Sequence, residues 1–173
     1  LHVSTQASTT NWHTVQMWKE LGATRVVAAR EVSLADLKEM KDNVDIEIES
    51  FVHGSMCISY SGRCLLSNYM TGNRDANRGQ CSQSCRWKYS LVESNRPGEY
   101  YPIEEDEHGT YIFNSKDLCL IHRIPVLYKA GIDSLKIDVL MKSVHNCATV
   151  ATVYPQGFDT YMRNSKDWYI TPE

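Results

Sequence analysis

Four of the six cysteines in this 173-residue chain lie in one short stretch, "GSMCISYSGRCLLSNYMTGNRDANRGQCSQSC", residues 54 to 85. They form the pattern C-x6-C-x16-C-x3-C with Cys57, Cys64, Cys81 and Cys85, and Cys119 and Cys147 follow at a distance. Four thiolates can ligate a tetrahedral zinc ion or an iron–sulfur cluster. The ligands of a zinc site usually come as two closely spaced pairs of residues, whereas the ligands of iron–sulfur clusters have more varied spacings. The spacing of these cysteines alone does not decide between zinc and an iron–sulfur cluster.

A disulfide framework and scattered buried thiols are the alternative interpretations of the cysteines. Disulfide frameworks are typical of small secreted domains without a large core, whereas this chain is long enough to bury one. Its 42% hydrophobic and 23% charged content is that of a globular protein. Cys147 lies in a predicted helix and fits a buried structural thiol best.

Basic side chains are concentrated in the same stretch. Between residues 63 and 88, Asp75 is the one acid, and the basic residues are Arg63, Arg74, Arg78, Arg86 and Lys88. Such a patch can attract an anion, although solvated loop charges explain it equally well. The net charge of −3 excludes a strongly basic nucleic-acid-binding protein. Contact with the phosphates of a nucleic acid would therefore depend on this patch. Trp87 and Tyr89 could stack on bases, although packing within a hairpin is favoured for aromatic residues in strands.

Candidate catalytic residues lie near the ends of predicted strands, where a substrate pocket is expected. They are Glu49, His53, Lys136 and Asp138, and Gln6, Arg30, Lys116 and Asp117 are further polar candidates for the pocket. His53 could act as the base for a thiol nucleophile, or it could have a structural or substrate-contacting role. The sequence contains neither a His-Glu-x-x-His zinc helix nor a Gly-x-Ser-x-Gly elbow, which argues against two common classes of hydrolase.

Alternating strands and helices are predicted to position these residues. The predicted strands are "LHVSTQ", "TRVVAAR", "VDIEIESF" and "DSLKIDV". Asn11 is the predicted N-cap of a first helix, which ends at Gly22. Ser33 is the predicted N-cap of a second helix, which continues to Met40. A third helix is predicted from Ser115 to Gly131, kinked or broken at Pro125. A last helix covers residues 141 to 162, with an interruption at "YPQG".

This order is typical of parallel βαβ units, so the predicted fold class is α/β, either part of a TIM-like (β/α) barrel or a doubly wound sheet. We predict an insertion at about residues 54 to 110, which holds the cysteines and a β-hairpin of "WKYSLVE" with "TYIFN". Three or four βα units do not close a barrel, and the exposed barrel edge could favour self-association. No apolar run is long enough to cross a membrane. Because the chain opens on a strand with no leader, we expect a fragment of a larger fold.

Residues 49 to 67 resemble the signature of the collagenase-like peptidases, peptidase family U-thirty-two. The matching positions are Glu49, Phe51, Gly54, Ser55, Met56, Cys57, Gly62, Cys64, Leu66 and Ser67. The resemblance continues through "HVSTQASTTN", "RVVAARE", "NRGQCSQSCRWKYSLVE" and "AGIDSLKID", and so covers nearly the whole chain. It implies that residues 1 to 173 are the C-terminal portion of the family's (β/α) barrel domain.

The family name implies proteolysis, but the family includes enzymes that hydroxylate transfer RNA, ribosomal RNA or ubiquinone precursors without oxygen. "RWKYSLVE" and "RPGEYYPIEEDE" are most similar to the branch that hydroxylates the wobble uridine of tRNA with prephenate. The resemblance therefore implies a cytoplasmic RNA-modifying hydroxylase whose partners are tRNA or another RNA and a small organic acid such as prephenate. A collagenase-like protease that hydrolyses peptide bonds is the alternative, and a non-catalytic, metal-stabilised module is the third.

By position, the resemblance also implies a set of metal ligands. These ligands of a four-iron, four-sulfur (4Fe-4S) cluster would be Cys57, Cys64, Cys81 and Cys119, with Cys85 as the alternative fourth ligand and zinc as the alternative metal. The chain departs from the family where relatives usually have "KIEGRMKS" and it has "KIDVLMKS". Val139 and Leu140 replace a Gly-Arg pair there, which removes an arginine that could bind an anion.

Overall fold

The structure is a computed structural model that describes residues 1–87, 89–102, 117–138, 142–166 and 168. The chain forms two compact units, one from Leu1–Arg63 with Asp117–Glu173 and the other from Cys64–Lys116. Within the described residues, the strands are β1 (His2–Val3), β2 (Arg25–Val27), β3 (Glu47–Gly54), β4 (Ser90–Leu91), β5 (Tyr101–Pro102), β6 (Leu118–Cys119) and β7 (Ser134–Asp138). The α-helices are α1 (Trp12–Glu20), α2 (Leu34–Asn43), α3 (Leu66–Thr71), α4 (Ile124–Lys129) and α5 (Val144–Arg163).

Parallel strands dominate the sheet of the larger unit. β1, β2 and β3 pair in sequence order, and β7 pairs with the other edge of β3, with Phe51 opposite Lys136. β6 is antiparallel and pairs with the end of β3. The α/β fold class is therefore confirmed as a mixed fold with a parallel-rich sheet. Over the described residues the sheet is open, and no barrel closes.

Both N-caps predicted in the first half of the chain are confirmed. Asn11 Oδ1 accepts a hydrogen bond from the Thr14 N–H at 3.0 Å, and α1 begins there. Ser33 Oγ accepts from the Asp36 N–H at 3.2 Å while Asp36 bonds back to Ser33, so a capping box begins α2. These local bonds satisfy N–H groups that a first helical turn leaves unpaired, so they could be predicted from the sequence.

One face of the sheet packs against the helices. A first cluster joins β1, β2 and β3 to α1 and α2, and its most buried members include Val15, Val26, Leu37, Met40 and Ile48. A second cluster joins β3 to α4 and α5 around Val52, Ile124, Leu127 and Tyr154. Because side chains alternate between the faces of a strand, Glu49 and Phe51 lie on the opposite face of β3. The catalytic candidates on that face are therefore separated from the helix-covered core.

The helix predicted from Ser115 to Gly131 is wrong in its first half. Ser115 lies outside the described residues, and Leu118–Cys119 forms β6, with Cys119 opposite His53. α4 begins at Ile124, and Pro125 lies in its first turn, where a missing N–H leaves no helical hydrogen bond unmade. Pro125 therefore marks the start of a helix, neither a kink nor a break inside one.

The interruption predicted at "YPQG" is also wrong, because α5 continues through Pro155. A proline inside a helix lacks the N–H that would bond the carbonyl four residues earlier. Tertiary contacts of the neighbouring residues favour the helix nonetheless. Tyr154 is only 3% exposed, and the Gly157 carbonyl accepts a hydrogen bond from Trp168 Nε1 at 3.0 Å. A Cβ at Gly157 would come within 2.7 Å of Ile124 Cδ1, so glycine permits the close approach of α4 and α5.

In the smaller unit, β4 pairs antiparallel with β5, with Leu91 opposite Tyr101. The predicted hairpin strand within "WKYSLVE" is therefore observed, but it pairs with Tyr101–Pro102. The predicted partner "TYIFN" lies outside the described residues. As for the predicted absence of a membrane span, no helix in the described ranges is both long and apolar enough to cross a bilayer.

Candidate active site on the polar face of the sheet

A connected group of charged side chains surrounds Glu49 on the polar face of the sheet. Its Oε1 lies 3.3 Å from Lys136 Nζ on β7. Its Oε2 accepts a hydrogen bond from Ser134 Oγ at 2.9 Å and lies 3.4 Å from a terminal guanidinium nitrogen of Arg25 on β2. The structure thus brings the candidates Glu49 and Lys136 together across the β3–β7 pair.

This group determines the ionisation of Glu49, whose side chain is only 14% exposed. Burial by itself raises the pKa of the carboxyl group. The hydrogen bond from Ser134 and the positive charges of Lys136 and Arg25 outweigh burial, so the net pKa lies below its usual value. Glu49 is therefore a stable carboxylate that can orient a cation or accept hydrogen bonds at neutral pH.

Phe51 lies between two cations on the same face. The Arg30 guanidinium carbon is 4.1 Å and Lys136 Nζ is 5.6 Å from the centre of its ring. Arg30 also forms an ion pair with Asp138 at 2.7 Å, which connects the end of β2 to the end of β7. Asp138 is therefore near the other candidates, and Phe51 is the buried apolar surface against which the cations are ordered.

His53 lies in a different environment from the other three catalytic candidates. A β-bulge between Phe51 and His53 shifts the register of β3 with β7, so that His53 is opposite Ile137. Its ring contacts Tyr154 of α5 edge-on, with 5.7 Å between ring centres. Burial lowers the pKa of the imidazole, and of its nearby charges Asp117 opposes this effect while Lys142 adds to it. Within the described residues, His53 Nδ1 is buried without a hydrogen-bond partner.

The loop that follows β3 is fixed to the ends of β1 and β2. Glu31 accepts hydrogen bonds from the Ser61 N–H at 3.1 Å and from Ser61 Oγ at 3.0 Å. Ser61 Oγ in turn accepts from the Arg30 N–H at 3.2 Å. Gly62 has φ +74° and lies so close to the Gln6 carbonyl that a Cβ would overlap it. These contacts hold the segment that carries Cys57.

A cavity of about 510 Å³ lies beside this loop. Its lining includes Arg30, Glu31, Cys57, Tyr60 and Arg63. Two guanidinium groups and a thiol in one cavity can bind a small anion next to a reactive or metal-binding sulfur. Of the other pocket candidates, Asp117 forms an ion pair with Lys142 at 2.5 Å, and Lys116 lies outside the described residues.

The candidate metal ligands are distributed over both units. Cys57 and Cys119 belong to the larger unit, and Cys64, Cys81 and Cys85 belong to the smaller one. None of the six cysteines, all of which lie in described segments, forms a disulfide, and the five candidate ligands are all at least partly exposed. As they stand, no three His, Cys, Asp or Glu side chains of the described residues form a group that could hold a metal ion.

The loop around Cys81 in the smaller unit is ordered by local hydrogen bonds. The Gln83 N–H donates to Cys81 Sγ at 3.3 Å, and Arg74 donates to the carbonyl oxygens of Gln80 and Cys81, each at 3.3 Å. Three buried serines, Ser67, Ser82 and Ser84, link α3 to this loop through hydroxyl–hydroxyl distances of 3.0 Å. Arg74 therefore has a local structural contact in addition to its predicted role in binding an anion.

The other predicted anion-binding residues have varied surroundings. Arg63 lines the cavity, Arg78 lies 3.8 Å from Asp75, and Lys88 lies outside the described residues. Arg86 ends a 3-10 turn, Ser84–Arg86, and the following Trp87 is 46% exposed. Tyr89 donates its hydroxyl hydrogen to the Ser84 carbonyl at 2.6 Å. An exposed Trp87 remains available for stacking, whereas the hydroxyl of Tyr89 is used within the unit.

Several residues of the site were not selected as site residues from the sequence. Arg25 and Ser134 contact Glu49, and Glu31 and Ser61 hold the loop. Arg25 and Ser134 lie at the start of strands, so only the register between neighbouring strands could have related them to Glu49. Glu31 directly follows "RVVAAR", and its position at a strand end was an unused signal. The departure at Val139 and Leu140 lies outside the described residues.

Three features define the class of this molecule. Helices cover one face of a parallel-rich sheet, ion-paired residues lie on the other face, and a cysteine-bearing loop follows a central strand. It is an α/β protein in which Arg30, Asp138 and the cysteine-bearing loop lie at the carboxyl ends of the strands, while the Glu49 group extends along the polar face towards the start of β7. The chain belongs to peptidase family U32, whose family model matches residues 1–173. The family expected from the cysteine signature is thereby confirmed.

Known relatives refine the comparison. The chain is 50% identical over its whole length to tRNA hydroxylation protein P1 of Bacillus subtilis (strain 168), of which it covers 40%. It is 41% identical to tRNA hydroxylation protein P of Escherichia coli (strain K12), with 92% of this chain and 44% of that protein covered. A protein of Methanocaldococcus jannaschii named an uncharacterized protease is 38% identical, with 95% of this chain and 40% of the relative covered. The chain thus spans less than half the length of these relatives, and no solved structure matches it.

Proposed function

We propose that this chain is part of an RNA-modifying enzyme that hydroxylates the wobble uridine of tRNA in the cytoplasm. The observation that carries the proposal is 50% identity, over the whole chain, to a protein named for tRNA hydroxylation. The polar face of the sheet is compatible with such a reaction, because it offers a stable carboxylate, ordered cations and an adjacent cavity. The whole enzyme would be longer than this chain, as its relatives are.

The proposed cofactor is a 4Fe-4S cluster on Cys57, Cys64, Cys81 and Cys119, with Cys85 as the alternative fourth ligand. Thiolates are the ligands that such clusters take, and the five candidate thiols are at least partly exposed and not in disulfides. Two further contacts support the assignment. The N–H of Gln83 bonds the Cys81 sulfur, and β6 holds Cys119 opposite His53, which is four residues before Cys57. Hydrogen bonds to sulfur are among the factors that tune bound clusters. A bound cluster would supply one-electron redox chemistry.

The proposed hydroxyl donor is a small organic acid such as prephenate, bound in the cavity beside the cysteine loop. Arg63 and Arg30 line that cavity, and guanidinium groups bind carboxylates with two parallel hydrogen bonds. Arg30 is already paired with Asp138, so Arg63 is the more available of the two. In the same proposal, the ion pair of Glu49 with Lys136 orders the polar face of the sheet. His53 supplies a neutral imidazole near Cys119.

RNA would be bound by the predicted basic patch, which consists of Arg63, Arg74, Arg78, Arg86 and Lys88. Arg78, Arg86 and Lys88 would contact it most directly, because Arg63 is assigned to the organic acid and Arg74 bonds the loop backbone. Phosphate contacts of this kind add up and weaken with salt, so the net charge of −3 does not prevent them. We also propose that the sheet is a segment of a (β/α) barrel, because its parallel strands follow each other without reversal in order. Self-association through the edge of β1 is the arrangement expected where that edge stays open.

Complementation tests this function. The full-length protein is expressed in a bacterial strain that lacks its own tRNA hydroxylation proteins, and the wobble nucleosides are analysed by mass spectrometry. We expect hydroxylated uridine with the natural protein and none with Cys57→Ser, whereas Cys147→Ser, a thiol outside the proposed ligand set, retains the modification. Unmodified uridine in the presence of folded, iron-loaded natural protein would refute the proposed reaction.

A collagenase-like protease is the second candidate, and the name of the archaeal relative is the observation that favours it. Purified full-length protein incubated with gelatin distinguishes the two. Cleavage that is lost with a thiol variant but unaffected by iron removal would favour proteolysis. Intact gelatin together with hydroxylated tRNA would leave the hydroxylase.

A further inference from the structure

The hydroxyl group of Tyr154 is buried between two strands and α5. Tyr154 is 3% exposed, and its hydroxyl donates to the Val52 carbonyl of β3 at 2.6 Å. The same oxygen accepts from the Leu120 N–H, directly after β6, at 3.1 Å. The Leu120 N–H also bonds the Val52 carbonyl at 2.9 Å, so one tyrosine completes a three-membered hydrogen-bonded junction.

This junction lies next to the proposed ligand Cys119. β6 has only two residues, and its register with β3 consists of Cys119 opposite His53 and Leu118 opposite Gly54. A strand this short has few ladder hydrogen bonds of its own and depends on what surrounds it. The Tyr154 hydroxyl on α5 adds a hydrogen bond to Leu120, the residue that follows Cys119.

The hydroxyl group of Tyr154, and not the bulk of its ring, makes both the bond to Val52 and the bond to Leu120. A phenylalanine would fill nearly the same volume, so packing alone gives no reason for a buried hydroxyl here.

We propose that Tyr154 is a positioning residue for Cys119, fixing the end of β6 through Leu120 and so holding Cys119 opposite His53 near the end of β3. This inference rests on the proposed function, in which Cys119 is the fourth ligand. Tyr154 itself does not touch substrate. It acts through the backbone of the ligand-bearing strand.

The test compares Tyr154→Phe with Tyr161→Phe in the full-length protein. Tyr161 is in the same helix, two turns away, and is 6% exposed, so the second variant makes the same chemical change away from β6. Two properties are measured: amide hydrogen exchange at residues 118 to 120 in the iron-free protein, and the rate at which a chelator removes iron from the reconstituted protein. The visible spectrum of the reconstituted protein is recorded as well.

We expect Tyr154→Phe to speed exchange of the Leu120 amide and loss of iron by roughly five- to tenfold, the effect of one neutral hydrogen bond. Tyr161→Phe should change neither by more than about twofold. Exchange in β7 serves as the reference for global opening, so a variant that merely destabilises the whole fold is recognised by faster exchange there. Unchanged Leu120 exchange, or an unchanged rate of iron loss with the natural spectrum, would overturn the proposal.

The two hypotheses fail separately. A natural full-length protein that takes up no iron refutes the cluster. In that case, the alkylation rate of Cys119 in the iron-free protein replaces iron loss as the measure of its position. A rate altered by Tyr154→Phe but not by Tyr161→Phe supports the positioning role. Equal rates in all three proteins overturn it.

Discussion

The neighbouring side chains on the polar face keep Glu49 ionised. Glu49 is surrounded by Lys136, Arg25 and Ser134, and its pKa is lowered although it is largely buried. Phe51 provides the apolar surface for Arg30 and Lys136. Such a group is costly to leave incomplete, because a buried charge without its partner loses both water and its counter-ion. We therefore expect single substitutions here to affect stability as well as activity.

Glu49→Gln tests the charge balance through pH. A carboxyl group with a lowered folded-state pKa contributes stability above its unfolded pKa of about 4.3, and that stability is lost as the pH falls towards the folded value. We expect urea denaturation to show a smaller loss of stability between about pH 5 and about pH 3 in the variant than in the natural protein. Glu39→Gln, at an exposed position of α2, should keep the natural pH dependence. Parallel pH profiles for Glu49→Gln and the natural protein would contradict the charge balance.

Glu31→Gln tests the attachment of the cysteine loop. The carboxylate accepts two hydrogen bonds from Ser61, and a glutamine side chain can replace only part of this. We expect a loss of about 1–2 kcal/mol in the free energy of unfolding, the lower part of the range for hydrogen bonds to charged groups because Glu31 is exposed. Thermal and urea denaturation measure this, with Glu39→Gln again as the matched variant. Equal stability of the two variants would mean that the Ser61 contact does not hold the loop.

At the scale of the elements, close backbone approach fixes the central strands. Gly54 ends β3 with φ +108°, and a Cβ there would overlap the Asp138 carbonyl of β7. The strand pair β3–β7 carries Glu49, Lys136 and Asp138, so its register decides how these candidates meet. A residue with a side chain at position 54 would have to separate the two strands.

Gly54→Ala is therefore expected to destabilise the protein by several kcal/mol or to prevent folding. Gly22→Ala is the matched change, because Gly22 also has a positive φ, +88°, but has nothing within 4 Å of its missing Cβ. It should cost only about 1 kcal/mol, the penalty of the backbone conformation itself. Far-ultraviolet circular dichroism and urea denaturation compare the two. Similar stabilities would show that β3 and β7 do not approach as closely as described.

The elements also show how far sequence reasoning reaches. Asn11 and Ser33 located α1 and α2, because a cap is a local interaction within four residues. β6 was missed because a two-residue strand depends on pairing with β3, which is distant in sequence. The continuity of α5 through Pro155 was missed for a related reason, since burial of Tyr154 and the bond from Trp168 outweigh the local preference.

For the candidate site, too, residue types could be predicted from the sequence, whereas contacts between distant strands could not. Glu49, Lys136 and Asp138 could be selected because they are polar and lie in predicted strands, and the structure brings all three to one face. To predict that Arg25 and Ser134 are the partners of Glu49, the register between neighbouring strands would have to be known. His53 lies on the other face because of a β-bulge, which no sequence period reveals.

At the scale of the whole molecule, the chain combines a helix-covered sheet with a smaller cysteine- and arginine-bearing unit, Cys64–Lys116. Both units carry thiols of the proposed ligand set, and the family assignment covers both. The proposed function therefore requires that thiols distant in sequence bind one cofactor. Two residues compete for the fourth position, because Cys85 is favoured by spacing and Cys119 by the resemblance.

The most direct measurement is the iron and sulfide content of the full-length protein, purified without air, in the natural form and as Cys119→Ser and Cys85→Ser. We expect the natural protein and Cys85→Ser to contain iron and sulfide in equal amounts with the visible spectrum of a 4Fe-4S cluster. Cys119→Ser should lose most of the iron while remaining folded. A full complement of iron in Cys119→Ser, or no iron in the natural protein after reconstitution, would contradict the account.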